Sequence, residues 1–240
     1  MTTRRLDMTK DTFKQALLEF GVQVNEEQLA QFEKYMNLLI EWNEKMNLTA
    51  ITKEEEIWEK HFYDSIVPFD SLTTESVCDV GSGAGFPGLP LKIVYPEIQL
   101  TIVEPLQKRC RFLETVCQDL GLEKVTIEAR RAEDYVKEKR EAFDLVSARA
   151  VARLAVLAEL CAPLVKVKGR FIALKGKQGH EELMEAKQAV SILGLELEKE
   201  DQIHVEDATR INLYFRKIKH TPAKYPRAYS QIKKKALGGN

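Results

Sequence analysis

The stretch VCDVGSGAGFPGLPLKIVYPEIQLTIVEP, residues 77–105, decides the fold. It begins with a short apolar run, turns through four glycines between Gly81 and Gly88, and follows a second apolar run to a lone carboxylate at Glu104. A strand, a glycine-rich turn, a helix and another strand form the β-α-β unit that cradles nucleotides in many α/β proteins. The turn therefore predicts a ligand-binding loop, and its details indicate which ligand.

The loop matches the dinucleotide fingerprint G-x-G-x-x-G only in its letters. Gly83-Ala-Gly85-Phe-Pro-Gly88 has the spacing, but the strand VCDV already ends at Gly81, and counting from there puts Phe86 at the third glycine position. No G-K-[ST] follows, so the pattern excludes a Walker phosphate loop. A dinucleotide remains only a weak interpretation.

Two carboxylates favour a different ligand. Asp79, two residues before the first glycine, would repel a pyrophosphate but suits a ligand with a positively charged amino-acid end. Glu104, just past the second strand, is positioned to accept both hydroxyls of a ribose. We expect the turn at residues 131–134 to meet an adenine ring. This combination favours S-adenosylmethionine and methyl transfer over two open alternatives, an NAD-dependent dehydrogenase and a non-catalytic binding module.

The remaining pattern predicts an α/β fold with a mostly parallel seven-stranded sheet, ending in an antiparallel hairpin and preceded by a small helical domain. The predicted strands are 77–80, 100–103, 125–128, 143–147, 170–174, 197–204 and 210–217. The predicted helices are 9–20, 25–46, a third ending before Pro68, then 88–95, 106–120, 132–139, 151–165 and 180–193. We divide the chain into a helical segment (1–72), a ligand-binding domain (73–218) and a basic tail (219–240).

Composition places the chain among globular proteins. It has 240 residues, 44% hydrophobic and 30% charged, which excludes extensive disorder. The first residues lack the apolar core of a secretory signal, so we expect a cytoplasmic protein without membrane contact. The four cysteines form no C-x-x-C pair, and neither a disulfide nor a metal site is predicted.

The positive charge is concentrated at the C-terminal end. Residues 208–240 carry nine Lys or Arg and no acid, whereas residues 1–70 carry 8 basic and 14 acidic side chains. Such a segment indicates contact with a polyanion, with a solvated tail kept for solubility as the open alternative. Under the first interpretation, removing the residues after Lys219 weakens RNA binding and leaves donor affinity unchanged.

The segment after the fourth strand, Ser147-Ala148-Arg149-Ala150-Val151, normally faces the reacting atom. It contains neither the Asp/Asn-Pro-Pro-aromatic motif of enzymes that methylate exocyclic amines nor the Pro-Cys nucleophile used on pyrimidine C5. An acceptor with a free lone pair, such as guanine N7, requires no proton removal and no covalent intermediate. Positioning then supplies most of the catalysis.

Several separated motifs resemble one family. DVGSGAGFPGLPL, KRCRFLE, SARAV, FIALKG, MNLTAI with HFYDS, and TPAKYPR occur in the order typical of the glucose-inhibited division protein B family, the bacterial 16S rRNA guanine-N7 methyltransferases. The resemblance covers about residues 30–227. It implies a Rossmann-like class I methyltransferase fold, S-adenosyl-L-methionine as donor, and N7 of a guanosine in the 530 loop of 16S rRNA as acceptor, giving 7-methylguanosine. It also implies these cofactor contacts: Gly81, Phe86, Glu104, Pro105, Leu106, Ala132, Glu133 and Arg149.

The chain departs from that family after Arg227, where it reads AYSQIKKKALGGN in place of a basic end rich in Gly and Pro. This difference leaves the tail's geometry open. The partner implied by the resemblance is 16S rRNA, the small ribosomal subunit or its precursor. We expect the protein to act as a monomer.

Other candidates keep two interpretations each. Asp79, Gly83 and Gly85 join the predicted cofactor-binding set, although Asp79 can instead cap backbone amides. Arg149 and Lys175 are the catalytic candidates. Arg149 can bind the cofactor carboxylate or guanine, or pair with Asp144 or Glu133; Lys175 can contact RNA or lie on the surface.

Two further clusters are interpreted structurally. His61, Asp64 and Ser65 have the residue types of a hydrolase triad, but their spacing on one helix favours a hydrogen-bonded face that packs on the catalytic domain. Lys108, Arg109 and Arg111 can bind rRNA phosphates, although solvation of a helix is preferred.

Overall fold

The computed structural model describes residues 8–69, 72–73, 75–205 and 208–238. Its strands are β1 (Ser76–Val80), β2 (Gln99–Val103), β3 (Val125–Glu128), β4 (Phe143–Arg149), β5 (Val165–Gly176), β6 (Leu195–Val205) and β7 (Ala208–Lys217). They form one sheet in the order β3-β2-β1-β4-β5-β7-β6. Strands β1 to β5 pair in parallel, and β7 runs antiparallel to both β5 and β6. The predicted parallel sheet with an antiparallel final hairpin is confirmed.

The strand order reverses at β1, which lies between β2 and β4. After β1 the chain adds β2 and β3 toward one edge of the sheet, and it then adds β4 and the later strands toward the opposite edge. In an open α/β sheet, the crevice at the carboxyl ends of the strands on either side of such a reversal is the usual ligand site. The loops after β1, β2 and β4 meet there.

The helices are α1 (Lys10–Glu19), α2 (Glu26–Met46), α3 (Glu54–Glu56), α4 (Asp64–Ile66), α5 (Gly88–Val94), α6 (Gln107–Leu120), α7 (Ala132–Lys139), α8 (Leu154–Cys161), α9 (Gly179–Ile192) and α10 (Tyr229–Lys234). A π-helical segment, Ile57–Tyr63, joins α3 to α4, so the third N-terminal helix is continuous but widened in its middle. Asn25 caps α2 as expected, because its side chain accepts from the Gln28 amide at 2.8 Å. Within the described ranges, no helix combines the length and apolar character needed to cross a bilayer.

The N-terminal helices share a hydrophobic core with one face of the sheet. Phe32 and Phe62 belong to the same buried cluster as Phe112 of α6. The hydroxyl of Tyr35 donates to the carbonyl of Ala84, so α2 also holds the glycine loop. Residues 1–7, 70 and 71 of the predicted segment 1–72 lie outside the described residues.

The largest departure from the predicted elements lies around α8. The predicted helix 151–165 begins only at Leu154, and β5 begins at Val165. Ala150 adopts a left-handed backbone conformation with φ 57°, which interrupts helix formation directly after β4. The helix then ends in a 3₁₀ turn, Ala162–Leu164, that contains Pro163 and leads straight into β5.

Part of the segment 219–240, predicted as a basic C-terminal tail, packs on α8 and α9. Tyr225 and Ile232 are buried in the core on that face of the sheet. The lysines at 233–235 remain exposed. Residues 239 and 240 lie outside the described part of the tail.

Candidate functional site

The glycine loop after β1 depends on left-handed backbone conformations. Gly81, Gly83 and Gly85 have φ of 70°, 62° and 103°, which residues with a Cβ adopt reluctantly. A Cβ at Gly81 would lie 2.6 Å from Val151, and one at Gly85 would collide with the Tyr35 hydroxyl. A Cβ at Gly83 would meet nothing within 4 Å. Two of the glycines therefore serve close packing, and Gly83 keeps the loop open.

Glu104 lies at the carboxyl end of β2 and is held in one orientation. One carboxylate oxygen accepts from the Gly83 amide at 3.0 Å and the other from the Leu106 amide at 3.0 Å. Arg109 lies 3.7 Å from the carboxylate. A carboxylate offers about four acceptor positions, so two remain for ligand hydroxyls.

A cavity of about 670 Å³ opens where these loops meet, and we call it the donor cavity. This volume is typical of sites for cofactor-sized ligands. Six of the predicted cofactor residues line it: Gly81, Glu104, Pro105, Leu106, Ala132 and Glu133. Sequence reasoning did not identify Val151 or Tyr229 as lining residues, and Tyr229 comes from the C-terminal segment.

Asp79 lies beneath the loop and is fully buried. Its carboxylate accepts from the Gly88 amide at 2.9 Å and lies 3.3 Å from the Ser147 hydroxyl. Burial raises the pKa of Asp79 to about 6, opposed by these hydrogen bonds and by the charge of Arg149. Asp79 therefore joins β1, β4 and the start of α5 from below, in line with the alternative of a backbone cap.

Phe86 faces the N-terminal helices and not the donor cavity. Its ring stacks on His61 with centroids 4.3 Å apart, and on Tyr35 at 5.5 Å. The guanidinium of Arg149 lies 5.0 Å from the centre of the same ring. Phe86 thus fixes the glycine loop to the helical segment. Gly83 and Gly85 likewise do not line the donor cavity.

A second cavity of about 490 Å³, which we call the basic cavity, opens at the carboxyl ends of β4 and β5. Five cationic side chains line it beside two acidic ones: Lys60, Arg149, Lys175, Lys177 and Arg210 with Asp64 and Glu182. Ala150 lines both cavities, so a single turn of backbone separates them.

Arg149 lines the basic cavity and pairs with Asp64, which was not among the partners considered for it from the sequence. Its guanidinium lies 3.5 Å from the Asp64 carboxylate and donates to the Lys60 carbonyl at 3.3 Å. Arg210 binds the same Asp64 oxygen at 2.9 Å. Burial lowers the pKa of Arg149, and the charge of Asp64 opposes that shift. The considered partners Asp144 and Glu133 instead lie beside Lys166 and Arg131.

Lys175 is a buried anchor of the turn between the two cavities. Its ammonium donates to the Ala152 carbonyl at 2.7 Å and lies 2.8 Å from the Glu182 carboxylate. Glu182 in turn accepts from the Leu154 amide at 2.8 Å, where α8 begins. The surface interpretation of Lys175 is therefore wrong, because the side chain is only 8% exposed.

The triad-like residues form the packing face that their spacing indicated. Ser65 donates to the carbonyl of His61, the His61 Nε2 lies 2.8 Å from the Thr49 hydroxyl, and Asp64 binds the two arginines. These three side chains therefore do not form the hydrogen-bonded chain of nucleophile, base and acid that a hydrolase triad needs. In the described ranges, no three His, Cys, Asp or Glu side chains converge as metal ligands would.

Two solved structures illustrate the likeness in fold. A crystal structure of TYW2 from M. jannaschii in complex with AdoMet matches with a TM-score of 0.57 and 16% identity, over 70% of this chain and 80% of that chain. A 16S rRNA (adenine(1408)-N(1))-methyltransferase from Catenulisporales acidiphilia matches with a TM-score of 0.53 and 15% identity, over 65% and 88%. At these identities the likeness concerns the fold, which is the Rossmann-like class I fold.

Sequence comparison is more specific. The family profile described as GidB, rRNA small subunit methyltransferase G, matches residues 28–210. Proteins named ribosomal RNA small subunit methyltransferase G are 48% identical in Geobacillus sp. (90% of this chain, 93% of that protein) and 47% identical in Bacillus subtilis (97% and 100%). The chain therefore belongs to the rRNA small subunit methyltransferase G family.

Proposed function

We propose that this protein transfers the methyl group of S-adenosylmethionine to N7 of a guanosine in the 530 loop of 16S rRNA. The observation that carries the proposal is the donor cavity at the point of strand reversal, with Glu104 at its edge, in a chain about 48% identical to named rRNA methyltransferases. The donor cavity lies directly beside the basic cavity. Methyl transfer to RNA requires such neighbouring sites, one for the methyl donor and one for the RNA.

The residues of the donor cavity fit this cofactor. The free acceptor positions on Glu104 suit the two ribose hydroxyls, and the turn at Ala132 and Glu133 suits the adenine. Gly81, which lines the cavity, lets the amino-acid end approach the backbone closely. When bound, the cofactor supplies an electrophilic methyl group on a cationic sulfur. Gly81 and Ala150 border the route from this end toward the basic cavity.

The basic cavity suits an RNA acceptor. Its five cations face the carboxylates of Asp64 and Glu182, and Lys60 is also paired with Glu56 at 2.6 Å. The positive charge that remains favours phosphate. Guanine N7 carries a free lone pair, so the protein has to orient the base and exclude water, without removing a proton. His61 also lines this cavity, but its pKa is lowered to about 3 by burial and by Arg149, so it is neutral near pH 7.

Both cavities are lined by one chain, which supports action as a monomer. A ribosomal RNA substrate supports a cytoplasmic location. We propose Arg149 as the residue nearest the reacting centre, and we assign Lys175 to positioning the intervening turn.

Mass analysis of nuclease digests of 16S rRNA tests the function. A strain that lacks the protein is expected to lose one 7-methylguanosine from the 530-loop fragment, and the wild-type gene is expected to restore it. Purified protein with labelled S-adenosylmethionine should transfer the label to small subunits or 16S rRNA from that strain. Unchanged 7-methylguanosine in the deletion strain, or binding of NAD without binding of S-adenosylhomocysteine, would refute the proposal.

A further inference from the structure

The segment after Arg227 is attached to the body of the protein by a buried ion pair. The Arg227 guanidinium donates to both carboxylate oxygens of Glu159, at 2.8 and 2.7 Å, and its backbone amide donates to the same group at 2.9 Å. Glu159 is fully buried in α8. A bidentate contact of this kind fixes direction as well as distance. The chain therefore enters α10 at a defined position.

Helix α10 has three kinds of side chain with separate surroundings. Ile232 is fully buried in the core beneath α8 and α9. Lys233 and Lys234, and Lys235 directly after the helix, are exposed. Tyr229 is partly buried and lines the donor cavity. On this short helix, Ile232 therefore packs in the core, the lysines face solvent, and Tyr229 borders the donor cavity.

Tyr229 lies at the adenine end of the donor cavity as assigned above. The guanidinium of Arg131 is 5.5 Å from the centre of the Tyr229 ring, and Arg131 directly precedes the turn at Ala132 and Glu133. Cation–ring contact holds the phenol at this wall. A partly exposed aromatic ring at the edge of a cofactor cavity is suited to cover a purine, whose flat surface gains from stacking.

We propose that Tyr229 is a donor-binding residue that covers the adenosine part of the cofactor, and that the segment 227–238 holds this ring at the wall of the donor cavity. The inference rests on the proposed function, since it takes the cavity to hold S-adenosylmethionine. It differs from the sequence-based expectation that the tail and the donor are independent. Tyr229 stands in the stretch where this chain departs from the pattern of the family it resembles.

Calorimetric titration with two ligands tests the proposal. S-adenosylhomocysteine contains the adenosine part and an amino acid, whereas 5′-methylthioadenosine has the adenosine part with a methylthio group and lacks the amino acid. Tyr229→Ala is expected to weaken binding of both by a similar factor of roughly tenfold, the scale of losing one aromatic ring from a base. Tyr229→Phe retains the ring and should bind both within about twofold of wild type, a far smaller loss than that of removing the ring. Gln231→Ala, an exposed position on the same helix, is the matched control and should bind as wild type.

The outcomes separate this inference from the proposed function. If wild type binds neither ligand, the proposed function fails. If wild type binds both and Tyr229→Ala binds equally well, or loses affinity only for the compound with the amino acid, the assignment of Tyr229 to adenosine is refuted. Tyr229→Ala removes a ring that packs partly on the core, so it should unfold at a lower temperature than Gln231→Ala. A single cooperative transition well above the titration temperature shows that the variant is folded when binding is measured.

Discussion

The imidazole of His61 lies parallel to the ring of Phe86, with centroids 4.3 Å apart and planes 10° apart. His61 belongs to the π-helical segment before α4, and Phe86 belongs to the glycine loop after β1. The stack therefore joins the helical segment to the loop that borders the donor cavity. It also makes the protonation state of one histidine relevant to stability.

His61 is expected to make the protein less stable at acidic pH. Burial, and then the charge of Arg149, lower its pKa from 6.5 to about 3. Between these values the unfolded chain binds a proton that the folded chain does not. The free energy of unfolding therefore falls as the pH falls from about 6.5 toward 3, by about 2 kcal/mol at pH 5.

Urea unfolding between pH 4 and 7 measures this contribution. His61→Phe retains the stack but cannot titrate, and it should show a flatter pH dependence than wild type. His204→Gln, at an exposed histidine, should retain the wild-type slope. Equal slopes for all three proteins would contradict the assignment.

Glu104 is expected to control donor affinity. Glu104→Ala removes the two acceptor oxygens offered to the ribose and the contacts to the Gly83 and Leu106 amides. Hydrogen bonds to a charged group contribute about 1.5–3 kcal/mol, so affinity for S-adenosylhomocysteine should fall about 10- to 100-fold. Glu104→Gln should lose less, because an amide oxygen still accepts. Glu97→Ala, which removes an exposed carboxylate, is the control; loss of affinity there, or none at Glu104, would refute the role.

Lys175 is expected to act through the turn that it anchors. Lys175→Met retains the aliphatic length but leaves the Ala152 carbonyl and Glu182 without their ammonium partner. The free energy of unfolding should fall by about 3 kcal/mol, as for a broken buried pair. The rate of methyl transfer at saturating rRNA should also fall, because the turn borders both cavities.

Lys187→Met, at an exposed lysine of α9, provides the control for Lys175 and should change neither quantity. Direct contact between Lys175 and RNA predicts a different result, a raised KM for rRNA with unchanged stability. Measuring unfolding and steady-state kinetics on the same preparations separates the two roles.

The sequence predicts the strands that border the donor cavity well, because β1 and β2 are short apolar runs between clear breaks. The apolar run at 77–80 and the acid at Glu104 locate the carboxyl ends of two strands, where the ligand is expected, and no distant contact has to be known for this. The start of α8 was predicted three residues early, because its position depends on the left-handed Ala150 and on Glu182, which binds the Leu154 amide from α9. Local propensity contains no information about such a partner.

The partners of the candidate site residues were hardest to predict for the same reason. Arg149 pairs with Asp64, a residue 85 positions earlier on a helix that no local pattern connects to β4. Tyr229 follows a run of basic and small residues with no periodicity directed at a cavity. Only the packing of α10 on α8 brings its ring beside Arg131.

Arg227 is expected to be a large contributor to stability, although it lies in a segment that reads as a tail. Arg227→Ala leaves the fully buried Glu159 carboxylate without a counterion, which costs about 3–5 kcal/mol of unfolding free energy. The double variant Glu159→Leu/Arg227→Met removes both charges and should recover most of that loss, because an apolar pair of similar volume is often neutral. Lys224→Ala, at a nearby exposed cation, should change stability by less than about 0.5 kcal/mol. Urea unfolding of wild type and the three variants measures these differences, and a loss below about 1 kcal/mol for Arg227→Ala would mean that the ion pair does not hold the segment in place.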